Sequence, residues 1–152
     1  MLFPDPLKPL EQQDESVLHA MMVWGESRGE PGDARAAVAY VPITRAALKK
    51  SSLKTELLRP WAFSCFNHND PNFQKALRPV EWEGLGLWVA CFKAAAAARD
   101  GQSSNPAPGA THYCASRLWH RPAAASPRWF EVGSDSQLVT VLGGQTFAKA
   151  AF

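Results

Sequence analysis

The chain has 152 residues, the length of one domain, and its 46% hydrophobic and 20% charged content is that of a folded globular protein. A net charge of only +2, with no basic cluster denser than Lys49-Lys50, excludes a nucleic-acid binder built on a strong basic patch. No stretch is long and apolar enough to span a bilayer, and the Pro- and acid-bearing N-terminus lacks the basic-then-apolar order of a signal peptide, so the chain is expected to begin in a cytoplasm without stable membrane insertion.

Residues 1–13, broken by Pro4, Pro6 and Pro9, read as an irregular arm of a single domain covering residues 1–152. Asp14 caps a first helix expected from Glu15 to about Gly25, with Val17, Leu18, Met21, Met22 and Trp24 on its apolar side and His19 off that stripe, in solvent. The segment Gly25-Glu26-Ser27-Arg28-Gly29-Glu30-Pro31-Gly32 ends it. Asp33 then caps an alanine-rich helix from Ala34 to about Lys50, which Pro42 should kink. Residues 51–79 are mixed, and the aromatic- and amide-dense run 61–72 reads as loop or short strand. A third long helix spans about Val80 to Arg99, with Trp82, Leu85, Trp88, Val89 and Phe92 on one broad face. A loop over 102–109 leads to a short strand, 110–115. Residues 120–128 are a Pro/Ala-rich loop, and strands follow at Trp129–Val132 and Leu138–Leu142, then Gly143-Gly144 and a final segment to Phe152. Helices first and short strands late make an α+β domain.

Three widely spaced cysteines, Cys65, Cys91 and Cys114, are not a disulfide framework and read as buried free thiols. A zinc site drawn from His68, Asp70, His112, Cys114 and His120 has no recognised ligand spacing. The metal and cofactor expectation is therefore none. A cysteine peptidase using Cys65 or Cys114 with His112 is a further reading, and a non-enzymatic binding module another.

Glycosidic cleavage requires a proton for the leaving oxygen, and a carboxylic acid in an apolar setting can supply it. Glu26 follows Met21, Met22, Val23 and Trp24, so it emerges from an apolar helix end, and its flanking glycines would leave room for a bulky substrate. Arg28 and Glu30 stand near enough in sequence to tune it. Taken alone, this pattern also describes an exposed glutamate at a helix terminus. Ser64, Phe66, Asn67, Thr111, His112 and Tyr113 offer the hydroxyls, amides and rings that sugars need. The alternative is that Phe63, Phe66 and Tyr113 are core, and that Asn67, Asn69 and Asp70 bond their own backbone in turns.

Four ordered motifs carry a family resemblance over about residues 17–148. Trp24-Gly25-Glu26-Ser27-Arg28-Gly29-Glu30-Pro31, with Ala36-Ala37-Val38-Ala39 and Arg45, resembles the opening motif of the SleB/CwlJ-type cell wall hydrolases, a family that includes spore-cortex-lytic enzymes and phage lysis proteins. Phe63-Ser64-Cys65-Phe66-Asn67 with Asp70-Pro71-Asn72, Gly109-Ala110-Thr111-His112-Tyr113, and Trp129 with Gly143-Gly144-Gln145-Thr146-Phe147 resemble its later segments. The departures are Gln145 where the family usually has His, Phe66 for a common Trp, and Ile43-Thr44-Arg45 after Pro42 for Leu-Asn-Arg. The resemblance implies a lysozyme-like α+β domain related to lytic transglycosylases, mainly helical with a small antiparallel sheet. It implies Glu26 as the catalytic acid/base acting on peptidoglycan glycan strands as a lytic transglycosylase, with muramidase-type hydrolysis of the same bond as the alternative. From their side-chain chemistry, Glu30, Ser64, Phe66, Asn67, Thr111, His112 and Tyr113 are the residues expected to bind the strand. A monomeric phage endolysin, released to the wall through a holin-opened membrane, is the expectation that joins this resemblance to the N-terminus.

Overall fold

The computed structural model describes residues 1–122 and 128–152; residues 123–127 of the expected Pro/Ala-rich loop lie outside the described residues. Helix α1 (Glu15–Ser27) starts where Asp14 accepts a hydrogen bond from Ser16 N, satisfying one of the free amides of the first turn. Every residue from Val17 to Trp24 is buried, so α1 is the central helix rather than an amphipathic surface one. His19 is correspondingly a correction: it is fully buried, with Nε2 2.8 Å from the Ala39 carbonyl oxygen and Nδ1 accepting from Arg99 at 3.2 Å. A polar side chain can occupy the all-apolar helix because both ring nitrogens have partners.

Helix α2 (Gly32–Lys49) begins two residues earlier than expected, with Pro31 rather than Asp33 at its cap. It continues through the buried Pro42 and ends where Lys50 turns left-handed, at φ 53°. Residues 51–79 contain no strand. They form α3 (Leu53–Leu57), a 3₁₀ turn (Ser64–Phe66) and α4 (Asn72–Ala76). Helix α5 (Pro79–Arg99) packs Trp88, Cys91, Ala95 and Ala98 against α1 and α2. It is broken at Gly84 (φ 82°, ψ 163°), a conformation open to glycine. The break takes Trp82 and Leu85 off the buried face, where they had been expected, and leaves them 57% and 52% exposed. The N-terminal arm lies over α5: the Trp88 indole N–H donates to the Leu2 carbonyl, and Phe3 stacks on its ring.

The sheet has three antiparallel strands in the order β1-β3-β2, where β1 is His112–Ala115, β2 Gln137–Leu142 and β3 Gln145–Lys149. A two-residue Gly143-Gly144 turn joins β2 to β3, with Gly143 at φ 56° as such hairpins need. Residues 129–132 are turn rather than the expected strand. The Ser134 hydroxyl donates to the Trp129 carbonyl at 2.7 Å, and Glu131 N donates to Arg128 O, so the segment curls on itself. Among the described residues, no helix is long and apolar enough to cross a membrane.

Candidate functional site

Helix α1 runs two residues past Gly25, so Glu26 sits in its last turn, half-buried. Gly25 controls what reaches it. A Cβ at that position would lie 2.5 Å from Cys65 Cβ and 2.8 Å from its Sγ. The missing side chain therefore makes room for Cys65, not for substrate as expected from sequence. This close approach brings the 3₁₀ turn onto the helix end. Glu26 Oε1 accepts from Cys65 N at 3.0 Å and from the Ser64 hydroxyl at 3.1 Å. Gln145, the departure from the family pattern, is buried and donates from Nε2 to the Glu26 main-chain carbonyl at 2.9 Å. That carbonyl belongs to the helix end, where no intrahelical donor remains.

Glu26 opens onto a groove of about 420 Å³ whose lining includes Arg45, Ser64, His112, Tyr113 and Trp129. Burial, and next the charge of Glu26, push the Tyr113 phenol well above its ordinary range, so it faces the carboxyl as a neutral hydroxyl. Burial, and then the charge of Arg45, pull His112 down to about 4, leaving it neutral at physiological pH. Its ring lies between Trp129 and Phe152, at centroid distances of 4.9 and 5.8 Å. The buried Arg45 donates from Nε to the Thr111 carbonyl at 2.6 Å and stacks on Phe63 and Phe152. The groove thus combines one carboxylate side chain, cationic and neutral donors, and aromatic walls.

All three cysteines are buried free thiols. Burial, and then the charge of Glu26, push Cys65 far up, and burial alone raises Cys114 to about 11. Neither is a thiolate at neutral pH, the form a nucleophile requires. Among the described residues, no three His, Cys, Asp or Glu side chains gather as a metal-holding group. His68 instead stacks on Phe73 at 4.5 Å.

Of the residues expected to bind substrate, Ser64, His112 and Tyr113 share the groove with Glu26. Phe66 and Asn67 line an adjoining hollow. Asp70 does form the expected backbone-bonded turn, accepting from Asn72 N at 2.7 Å. Asn67 and Asn69 do not: neither side-chain amide has a hydrogen-bond partner among the described residues. Glu30 and Thr111 lie outside the groove lining. Glu30 Oε2 accepts from Gly144 N at 2.9 Å, and a Cβ on Gly143 would strike Glu30 and Pro31 at 2.5 and 2.6 Å. The Glu-Pro pair and the Gly-Gly pair, far apart in sequence, are two halves of one contact. Thr111 exchanges hydrogen bonds with the Ala150 backbone and reaches His112 Nδ1 at 2.9 Å. Arg28 donates to Asn72 at 2.7 Å, pairs with Glu83 at 3.5 Å and lies over Trp24. Arg59, Trp61 and Phe152 line the groove without having been anticipated. The Pro60-Trp61 turn carried a weak signal for Trp61. Phe152 carried none, because only tertiary packing returns the last residue to Arg45 and Lys49 of α2.

No protein-family model and no curated protein matches the chain. Among solved structures, the chain is similar to the catalytic domain of the germination-specific lytic transglycosylase SleB from Bacillus anthracis. The TM-score is 0.62 at 21% identity, covering 93% of this chain and 100% of that one. The two share a fold, mostly helical with a small antiparallel sheet, which is the fold the motifs implied.

Proposed function

We propose that the chain cleaves the glycan backbone of peptidoglycan between N-acetylmuramic acid and N-acetylglucosamine, as a lytic transglycosylase. The observation that carries this reading is that Glu26 is the one carboxylate side chain among the described residues lining the groove. Hydrolysis with retention needs a second carboxylate about 5–5.5 Å away, and inversion needs one at about 6.5–9.5 Å. A single carboxyl can act twice instead. Glu26 first protonates the leaving glycosidic oxygen. The resulting carboxylate then takes the proton from the substrate's own C6 hydroxyl, which closes on the anomeric carbon. The products are a 1,6-anhydro-muramoyl end and a free 4-hydroxyl, with no water consumed.

The donors around Glu26 suit both steps. Ser64 and the Cys65 amide fix Oε1, which leaves Oε2 for proton exchange. The neutral Tyr113 hydroxyl faces the same carboxyl and stabilises it as charge develops. The shared fold with the SleB catalytic domain supports the same assignment. In this reading the chain serves as a monomeric phage endolysin that reaches the wall from the cytoplasm once a holin opens the membrane. Co-expression with and without a holin tests that role.

Glu26→Gln keeps the size and the hydrogen bonds but cannot donate the proton. Sacculus solubilisation should fall at least ~10²–10⁴-fold with an unchanged melting temperature. A near-normal rate in that variant would sink the proposal.

A further inference from the structure

Trp61 is held in a conformation that its own packing does not explain. Residues Arg59 to Ala62 form a four-residue turn closed by Ala62 N donating to Arg59 O at 3.1 Å, with Pro60 at the second position. Trp61 at the third has φ 63°, where such a turn ordinarily takes glycine. A bulky side chain there is strained. The indole recovers little by burial, since Trp61 is 75% exposed, and it stacks on no ring and no cation among the described residues.

The position of that ring is informative. Pro60 and Trp61 form a wall common to the Glu26 groove and to the adjoining hollow of about 440 Å³. The hollow is lined otherwise by Phe66, Asn67, His68 and Asn69. It therefore offers an aromatic surface beside two side-chain amides with no partner among the described residues, and it carries no carboxylate, Arg or Lys. That is the chemistry of a neutral N-acetylated sugar: apolar ring faces stack, while hydroxyls and the acetamido group exchange hydrogen bonds with amides.

We infer that Trp61 is a stacking platform, and that the hollow beyond it is a second subsite holding the neighbouring N-acetylhexosamine of the strand bound at Glu26. The inference rests on the glycan-cleaving reading for its choice of ligand. The strain at Trp61 then has a function, because a rigid turn presents the indole to the strand at little cost in conformational freedom on binding.

The test uses a β-1,4-linked N-acetylglucosamine tetrasaccharide as probe, bound to the full chain carrying Glu26→Gln and followed by calorimetry. Adding Trp61→Gly should weaken binding about tenfold, as loss of an aromatic anchor does. The same change should leave the melting temperature unchanged or raise it, because glycine relieves the positive φ. Trp61→Phe should retain part of the affinity. Unchanged affinity in Trp61→Gly, or weaker binding accompanied by a lowered melting temperature, would overturn the subsite. The cleavage reaction is read separately, from fragments released by the unaltered chain. If the tetrasaccharide binds through Trp61 while peptidoglycan is left uncut, the subsite stands and the proposed reaction falls.

Discussion

Gly25→Ala tests whether the approach of Cys65 to α1 positions the reactive carboxyl. The new methyl would sit 2.5 Å from Cys65 Cβ and 2.8 Å from Sγ, so the 3₁₀ turn must retreat by about 1 Å to reach ordinary contact. Overpacking of this kind costs ~1–3 kcal/mol, while replacing a helical glycine by alanine contributes about 1 kcal/mol in the other direction. The net is a loss of roughly 1 kcal/mol, or about 2–4 °C in melting temperature. Activity should suffer far more. The retreat carries the Cys65 amide and Ser64 hydroxyl away from Glu26, and a misplacement of about 1 Å can cost ~10²-fold in rate. Adding Cys65→Ala should not rescue the variant, because the Cβ clash remains. Adding Cys65→Gly should, because it removes both offending atoms and keeps the amide. Melting curves and sacculus solubilisation on the four proteins decide the matter. A Gly25→Ala variant with unchanged rate, or equal rescue by Cys65→Ala and Cys65→Gly, would refute the argument.

Two further expectations concern stability. Glu30→Ala removes the acceptor for Gly144 N and should cost about 1 kcal/mol, seen as a fall of about 2–4 °C in melting temperature. An unchanged melting temperature would show that this contact does not hold the hairpin. His19 and His112 are both held at about 4 by burial, against an ordinary 6.5. Between those values the unfolded chain takes up protons that the folded chain does not, so stability is greatest above pH 6.5 and falls as the pH drops toward 4. The loss by pH 5 is about 2 kcal/mol for the fully buried His19 and smaller for the less enclosed His112. Asp14 and Glu56, lowered chiefly by hydrogen bonds from Ser16 and Arg59, add their losses only below the ordinary carboxylate range. Urea titrations at pH 7 and pH 5 read the histidine window, and equal stabilities would contradict it.

The three long helices were legible because helix-favouring, largely apolar residues run on over several turns in each. Helix ends were less so: nothing in Gly25-Glu26-Ser27 shows that the helix continues past a glycine, since that depends on Cys65 filling the space. His19 was misread because a stripe drawn from one helix cannot reveal that α2 and α5 close over its polar side and supply both ring nitrogens with partners. The exposed Trp82 and Leu85 follow from a single backbone angle at Gly84, which a hydrophobic period does not encode. Glu26 with Ser64, His112 and Tyr113 could be expected because short motifs carried them. The spatial meaning of those motifs emerged only in three dimensions, where Glu30-Pro31 meets Gly143-Gly144 and Gln145 reaches the Glu26 carbonyl. Trp61, Arg59 and Phe152 lie outside the motifs and join the groove by tertiary packing alone.

The central claim is that one carboxyl, Glu26, cuts the glycan strand without consuming water. Mass spectrometry of the soluble fragments released from purified peptidoglycan in oxygen-18 water tests it most directly. The account predicts muramoyl ends one water lighter than hydrolysis products, free of label, and absent when Glu26→Gln replaces the unaltered chain. Reducing muramic acid ends carrying oxygen-18 would contradict it, as would fragments cut at amide bonds.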